Sequence, residues 1–377
     1  MTLRVFVIAG ETSGDFLAAK LLAALAPQVG GLELAGVGGT ELAKQGLVSR
    51  FPMDELSLMG LAEIVPHLPR LIRRLGETAK AARAMQPDLV LTVDAPAFTL
   101  RVLHRLRGLE AVKVHYVAPQ AWAWRPGRAA KLAHLVDRLL AVLPFEPAFF
   151  AGYGVDAVDV GHPIVEQVPA LPAFLDRRRH TAPVLCLLPG SRRGEIARHV
   201  PVLRGTVARL TTAFPDLRCV LPTPPARRAE VAALTADWPA PLAIEAEPAC
   251  RFERYAEADL ALAASGTVGL ELALARLPTI VIYRTSALTA AVVRRLVRVR
   301  HASLINLVAD REVVPEFLQE RCTAGHLAAA ATELLTDHAA WQRQIRGLDR
   351  VALALGAGGT PPSARAAAEV LAALGRR

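Results

Sequence analysis

No run of about 18 uncharged apolar residues occurs in the 377-residue chain, so no segment reads as a membrane-spanning helix. The most apolar stretch, 258–283, is broken by Asp259, Glu271 and Arg276. The apolar run near the N-terminus is short and leads straight into a Gly/Ser turn, so no secretory leader is expected and the chain reads as cytoplasmic. Cysteine is scarce: Cys186, Cys219, Cys250 and Cys322 lie far apart without a C-x-x-C pair and read as reduced core thiols. The ten histidines form no H-E-x-x-H pair, so no metal site is expected. Aromatic residues make up 5% of the chain, and no RNA-binding motif, zinc finger or basic heptad helix is present. Nucleic acid is therefore not the expected partner despite a net charge of +9. Two nucleotide fingerprints are also missing. The turn Gly10–Asp15 is neither G-x-G-x-x-G nor a P-loop, and Gly36-Val37-Gly38-Gly39 fails both patterns too. That disfavours hydride transfer and P-loop ATP hydrolysis.

What the chain does contain is apolar material for large cores, 53% of its residues, and a positive charge carried mostly by arginine. Basic proteins of this kind serve anionic membrane surfaces or phosphorylated substrates. The same local grammar opens twice. Val5–Ala9 breaks into Gly10-Glu11-Thr12-Ser13-Gly14, and Val184–Leu188 breaks into Pro189-Gly190-Ser191-Arg192-Arg193-Gly194. Each is a buried parallel strand, a Gly/Ser turn and a helix start, where backbone N–H groups can face an anion or a sugar. Further strands are expected at Leu32–Val37, Leu89–Asp94, Val112–Val117, Arg138–Val142, Arg218–Leu221, Leu260–Ala263 and Thr279–Tyr283, with helices between them. The expectation is an α/β protein with two doubly wound, Rossmann-like domains facing a cleft. Its bounds are 1–165, a Pro- and Arg-rich linker 166–182, a second domain 183–335, and C-terminal helices 336–377 that pack back on the first domain. After Glu312 the pattern reads as almost wholly helical.

Several segments carry candidate chemistry. In Ser265-Gly266-Thr267-Val268-Gly269-Leu270-Glu271, Ser265 or Thr267 can cap a helix whose first turn suits a diphosphate. Glu271 could hold vicinal ribose hydroxyls, although an ordinary capped helix with a salt-bridged Glu explains the string equally well. Gly190-Ser191-Arg192 offers an arginine, suited to bidentate phosphate contacts, at a strand's carboxyl end. Glu11 and Asp15 suit sugar hydroxyls, or merely complement a helix start. Asp94, ending a strand before Ala95-Pro96, could act as a general base or simply cap the next helix. Trp122 and Trp124 wall a site or fill a core. Between Leu56 and Arg83, Leu58, Met59, Leu61, Ile64 and Val65 precede Arg70, Arg73 and Arg74. That combination suits anionic lipid, or a core-packing helix with a solvated basic face, and Pro66 and Pro69 interrupt any helix there.

Taken together the chain resembles the lipid-A-disaccharide synthases, inverting glycosyltransferases of the two-domain GT-B type. The strings that carry the resemblance are AGETSGD (9–15), GVGG (36–39), LMGLAEIV (58–65), PDLVLTVDAPAF (87–98), HYVAPQAWAWR (115–125), LPFE (143–146), GHP (161–163), LLPGSRRGEI (187–196), ASGTVGLE (264–271), YR (283–284) and SLINLVADREVVPEFLQ (303–319). They run in the family's order, leaving only the helical tail weakly matched. Where the family usually reads DAPDF this chain has Ala97. It also has Thr99 for the family's usual Asn, Leu42 for Met and Ile305 for Pro.

The resemblance implies transfer of 2,3-diacylglucosamine from its UDP derivative to the 6-hydroxyl of 2,3-diacylglucosamine 1-phosphate at the cytoplasmic membrane face, with no cofactor or metal. It implies Asp94 as base. Gly190, Ser191, Arg192, Ser265, Gly266 and Thr267 would hold UDP, with Glu271 on its ribose. Glu11, Ser13, Gly14, Asp15 and Asn306 would contact the sugar acceptor, and residues 56–83 would meet acyl chains and an anionic membrane. The tail helices leave a homodimer open. Two other readings stand beside this one: another UDP-sugar enzyme of the same architecture, or an inactive membrane-peripheral nucleotide-sugar-binding protein.

Overall fold

A computed structural model describes residues 2–56, 61–124, 126–170, 174, 180–286, 289–290, 295, 297 and 299–376, with the backbone alone for 61–66. Two compact units emerge, Met1–Pro163 with Gly358–Arg377, and Ile164–Ala357.

Unit 1 is built on six parallel strands: β1 (Leu3–Ala9), β2 (Leu32–Val37), β3 (Leu89–Val93), β4 (Val112–Tyr116), β5 (Arg138–Ala141) and β6 (Ala157–Asp159). They lie in the order β2-β1-β3-β4-β5-β6. Val7 pairs with Gly36 on one side and Leu91 on the other, so strand order reverses between β1 and β3. Val5–Ala9 are wholly buried, as a strand covered by helices on both faces must be. The helices are α1 (Thr12–Leu25), α2 (Thr40–Lys44), α3 (Leu61–Met85), α4 (Pro96–Arg105), α5 (Ala121–Trp124), α6 (Gly127–Leu132) and α7 (Glu146–Ala151). α1 buries Leu17, Leu21, Leu22 and Leu25, an apolar stripe at helical spacing. α3 runs unbroken through Pro66 and Pro69, contrary to the expected interruption. Residues 67–70 are all exposed, so the Pro69 ring faces solvent rather than the core.

Unit 2 repeats the plan with β7 (Val184–Leu188), β8 (Arg218–Pro222), β9 (Leu242–Glu245), β10 (Leu260–Ala264), β11 (Thr279–Tyr283) and β12 (Glu316–Leu318). Their order is β12-β11-β10-β7-β8-β9, all parallel, with the reversal between β10 and β7. The helices are α8 (Arg193–Ala213), α9 (Arg228–Leu234), α10 (Arg251–Glu257), α11 (Val268–Leu274), α12 (Leu304–Ala309), α13 (Ala324–Thr336) and α14 (His338–Ala354). β12 corrects the wholly helical expectation after Glu312. Like β6 and β9 it is a half-buried edge strand of three or four residues, too short to show a period.

The C-terminal helices divide between the units. α14 stays in unit 2, where Gln344 bridges the backbone of Thr279 and Asp349 pairs with Arg276 at 2.7 Å. α15 (Pro362–Leu374) joins unit 1 against α1. Buried Arg138 of β5 pairs with Glu369 of α15 and, at 2.5 Å, with Asp156. Arg365 donates to the Asp159 carbonyl at 2.6 Å.

Candidate functional site

In each unit the candidate residues gather at the carboxyl ends of the two strands where the order reverses, the place where open parallel sheets bind ligands.

In unit 2, β7 ends at Leu188 and the chain turns through Gly190, whose φ of +107 suits glycine. A side chain there would also sit 2.6 Å from the Glu195 carboxylate. Arg192 is the N-cap of α8, and Glu195 reaches back to its backbone N–H at 3.3 Å and to its guanidinium at 3.1 Å. The Arg192 side chain is otherwise exposed. β10 leads to Ser265-Gly266-Thr267 and α11. Thr267 stands at the N-cap without a side-chain cap, and Ser265 Oγ instead donates to the Ala302 carbonyl at 2.7 Å. The helix-capping role expected of these two hydroxyls is therefore corrected, and in the first turn the Gly269 and Leu270 N–H groups donate to the Gly266 and Thr267 carbonyls at 3.2 and 2.9 Å.

A cavity of about 530 Å³ is lined by both loops, by the prolines 222, 224 and 225, and by Arg251, Tyr255 and Glu271. Tyr255 donates to Glu271 Oε2 at 3.0 Å and Arg251 lies 3.2 Å from Oε1. Burial pushes the Glu271 carboxyl above its ordinary value, opposed by the Arg251 charge and the Tyr255 hydroxyl. Arg251 and Tyr255 were not singled out in the sequence, although their i, i+4 spacing ahead of β10 puts them on one face of α10. A second cavity, of about 630 Å³, lies at the amino ends of β7–β9 beside His180 and Arg218, on the edge of the sheet away from these loops.

In unit 1 the Gly10–Gly14 turn packs against the end of β3. A side chain at Gly10 would fall 2.6 Å from the Ala95 Cβ, and one at Gly14 3.3 Å from the Val93 carbonyl oxygen. Asp94 and Ala95 have φ of 49° and 44°, a strained left-handed pair, and Val117 after β4 has φ 72°. The Asp94 N–H donates to the Tyr116 carbonyl at 3.0 Å. Thr99 Oγ1 donates to the carbonyls of Asp94 and Ala95 at 2.8 and 3.0 Å, an anchor for the strained turn that sequence reading did not assign. Burial raises the Asp94 carboxyl above its ordinary range, against one bond from the Ala95 N–H. Glu11 is the N-cap of α1 but makes no side-chain cap. Burial and then the Asp94 charge raise its carboxyl as well. Ala97 is exposed in the first turn of α4, and Ser13 is exposed in α1.

Three expected contacts are corrected. Asp15 is buried, and its carboxylate accepts from the N–H groups of Gly39, Glu41 and Leu42 at 2.7, 2.8 and 3.2 Å, so it holds the start of α2 rather than a sugar. Asn306 is also buried and spent. Its amide donates to the Val314 carbonyl and Glu316, and its oxygen accepts from Val313 and Val314. Arg74 makes two bonds of 2.9 Å to Glu55 and one of 2.8 Å to Glu77, which takes its charge away from a lipid surface. Arg73 pairs with Glu77 at 3.4 Å but stays exposed, as does Arg70. Leu58 and Met59 lie outside the described residues. Leu61, Ile64 and Val65 fall on α3, with side chains outside them too. Trp122 donates to buried Glu146 at 3.0 Å and packs edge-on to Phe145, whereas Trp124 is exposed beside Arg128.

A family model described as lipid-A-disaccharide synthetase matches residues 5–358. The lipid-A-disaccharide synthase of Rhodospirillum centenum is 47% identical, over 100% of this chain and 96% of that protein. That of Ruegeria pomeroyi is 44% identical, over 98% and 95%. Among solved structures, a putative UDP-N-acetylglucosamine 2-epimerase from Listeria monocytogenes superposes with a TM-score of 0.63 at 16% identity, covering 99% of this chain and 96% of that one. MurG of Acinetobacter baumannii gives 0.59 at 15%, covering 99% of each. These likenesses show the fold: two Rossmann-like units of the GT-B class with helices at the C-terminus.

Proposed function

This chain belongs to the lipid-A-disaccharide synthetase family, and from that premise we propose a division of labour between its two units. The activity is a hexosyl transfer of lipid A biosynthesis. UDP-2,3-diacylglucosamine and 2,3-diacylglucosamine 1-phosphate give the β-1,6-linked disaccharide 1-phosphate and UDP.

Inversion in one displacement needs a base for the acceptor's 6-hydroxyl and a site that stabilises the departing diphosphate. Unit 2 is the donor half. The cavity of about 530 Å³ supports this reading most directly, because it joins a cationic loop to a carboxylate. Gly190, Ser191, Arg192, Gly266 and Thr267 hold the diphosphate, with Ser265 fixing the second loop, and Glu271 accepts from the ribose hydroxyls. Oriented donors at a developing oxyanion contribute roughly 2.7–4 kcal/mol each.

Unit 1 is the acceptor half. Asp94 takes the hydroxyl proton as the acceptor oxygen bonds to the anomeric carbon and the carbon–phosphate oxygen bond breaks, its electron pair leaving with UDP. A carboxylate whose affinity for a proton is raised by burial is a better proton acceptor than a solvated one. Glu11, Ser13 and the Gly14 turn orient the acceptor sugar.

No helix among the described residues is long and apolar enough to cross a membrane. Attachment to an anionic membrane surface is through α3, where Leu68 and Ile72 are 48% and 52% exposed beside Arg70 and Arg73. The test is Asp94→Asn with acylated donor and acceptor. Product formation should fall by about 10²–10⁴-fold, the scale of general-base catalysis, with UDP affinity unchanged. Equal loss of both would remove the base assignment.

A further inference from the structure

His199 lies in the second turn of α8 and is fully buried. Its Nδ1 is 2.6 Å from the Pro189 carbonyl oxygen, and its Nε2 is 2.9 Å from the backbone nitrogen of Arg284. A carbonyl can only accept and an amide N–H can only donate. The ring therefore carries its proton on Nδ1 and offers Nε2 as an acceptor, which fixes a single neutral tautomer. Pro189 immediately precedes Gly190, and Arg284 immediately follows β11. Because β7 and β11 lie on either side of β10, the ring ties together the loops that flank Ser265–Thr267.

We propose that His199 is a positioning residue of the donor half-site, a strut whose two hydrogen bonds set the place of the Gly190–Arg192 loop against the end of β11. The inference rests on the reading that this loop holds the diphosphate of UDP. His199 itself touches no substrate.

The groups around the ring are Glu195 one turn earlier on α8, Arg198 beside it, Arg284 across from it, and the Tyr283 ring, 5.9 Å between centroids. Burial keeps the imidazole less basic than usual, partly offset by the Pro189 carbonyl and Glu195. A proton added at Nε2 would set donor against donor at Arg284 and break the strut. Donor affinity should then fall on acidification through the strut as well as through any titration of UDP.

Three substitutions separate the two bonds. Asn can reproduce the Nδ1 donor to Pro189, Gln can reproduce the Nε2 acceptor for Arg284, and Leu keeps the bulk without either. UDP is titrated calorimetrically into the full chain, with Arg192→Ala alongside. UDP affinity should fall about tenfold in His199→Asn and His199→Gln, the effect of one buried hydrogen bond, and further in His199→Leu. KM for the donor should rise with them while KM for the acceptor stays put. The affinity ratio of the parent chain to His199→Gln should shrink on acidification below the ordinary imidazole range, because burial lowers the His199 ring and the Gln oxygen does not titrate. If His199→Leu fails to fold, the Asn and Gln variants decide.

UDP affinities within twofold of the parent in both, with Arg192→Ala weakened, overturn the strut and leave the donor reading intact. An Arg192→Ala chain with unchanged UDP affinity overturns the donor reading and the strut with it.

Discussion

The reversal between β10 and β7 and the reversal between β1 and β3 are the same topological event with opposite chemistry. At the first, Arg192 and Arg251 stand around a cavity in which Glu271, one of four lining glutamates, is already paired with Arg251 and Tyr255. At the second, Glu11 and Asp94 flank a turn too tight for a side chain at Gly10, which would fall 2.6 Å from the Ala95 Cβ, and burial raises both carboxyls. In the proposed division of labour, the donor half would present cations to a diphosphate, and the acceptor half weak acids to hydroxyls. A doubly wound sheet thus supplies only a location. The side chains on two short loops decide whether that location suits an anion leaving or a proton leaving.

That contrast can be broken from either side. Glu271→Ala should cut UDP affinity by roughly fiftyfold, since hydrogen bonds to a charged group are worth about 1.5–3 kcal/mol, and should leave acceptor KM alone. An unchanged UDP titration would take the ribose out of that cavity. Glu369→Ala removes a carboxylate from buried Arg138 and should destabilise unit 1 by about 3 kcal/mol, seen as an earlier melting step, with UDP affinity in unit 2 retained. A single unshifted transition would refute the separate anchoring of α15.

Replacing Ile72 by Asp should weaken binding to anionic vesicles by about an order of magnitude, the worth of one buried apolar side chain at about 1.5 kcal/mol, and Arg70→Ala should do so less and in a salt-dependent way. Binding indifferent to both would move the membrane contact away from α3. The smallest effect is on pH. Asp94 must be ionised to accept a proton, so kcat/KM rises as pH climbs past the raised carboxyl range. Asp94 is a like charge that raises the Glu11 carboxyl, so by reciprocity Glu11→Gln should move that acid limb down. A limb that stays in place would uncouple the two carboxyls.

Long apolar strands and their Gly/Ser turns were legible because burial on both faces leaves a continuous apolar run, as in Val5–Ala9 and Val184–Leu188. Of the four edge strands, β2 was legible as well, but the short β6, β9 and β12 were not, because three or four half-buried residues carry no period. The loops that hold Asp94 and Arg192, and the helix start that carries Glu271, could be found from their position after strand ends. Asp15 and Asn306 show the limit of that reasoning. A polar residue inside a motif has the same letter whether it faces a ligand or the backbone, and both were taken up within the fold, Asp15 by the distant N–H groups of Gly39, Glu41 and Leu42 and Asn306 by the nearby strand-leading segment 313–316. Arg74 misled for the same reason, its partner Glu55 lying nearly twenty residues away.

The amino-acid sequence by itself determined the repeated α/β plan, the family and the strand ends where chemistry gathers, because these follow from local periodicity and turn composition. Only the tertiary structure decided which polar side chains remain available there. It spent Asp15, Asn306 and Arg74 on the scaffold, held Asp94 and Ala95 at positive φ, and split the C-terminal helices between the units. Hydrogen-bond satisfaction in a buried site depends on groups brought together from distant parts of the chain, and no local pattern records it.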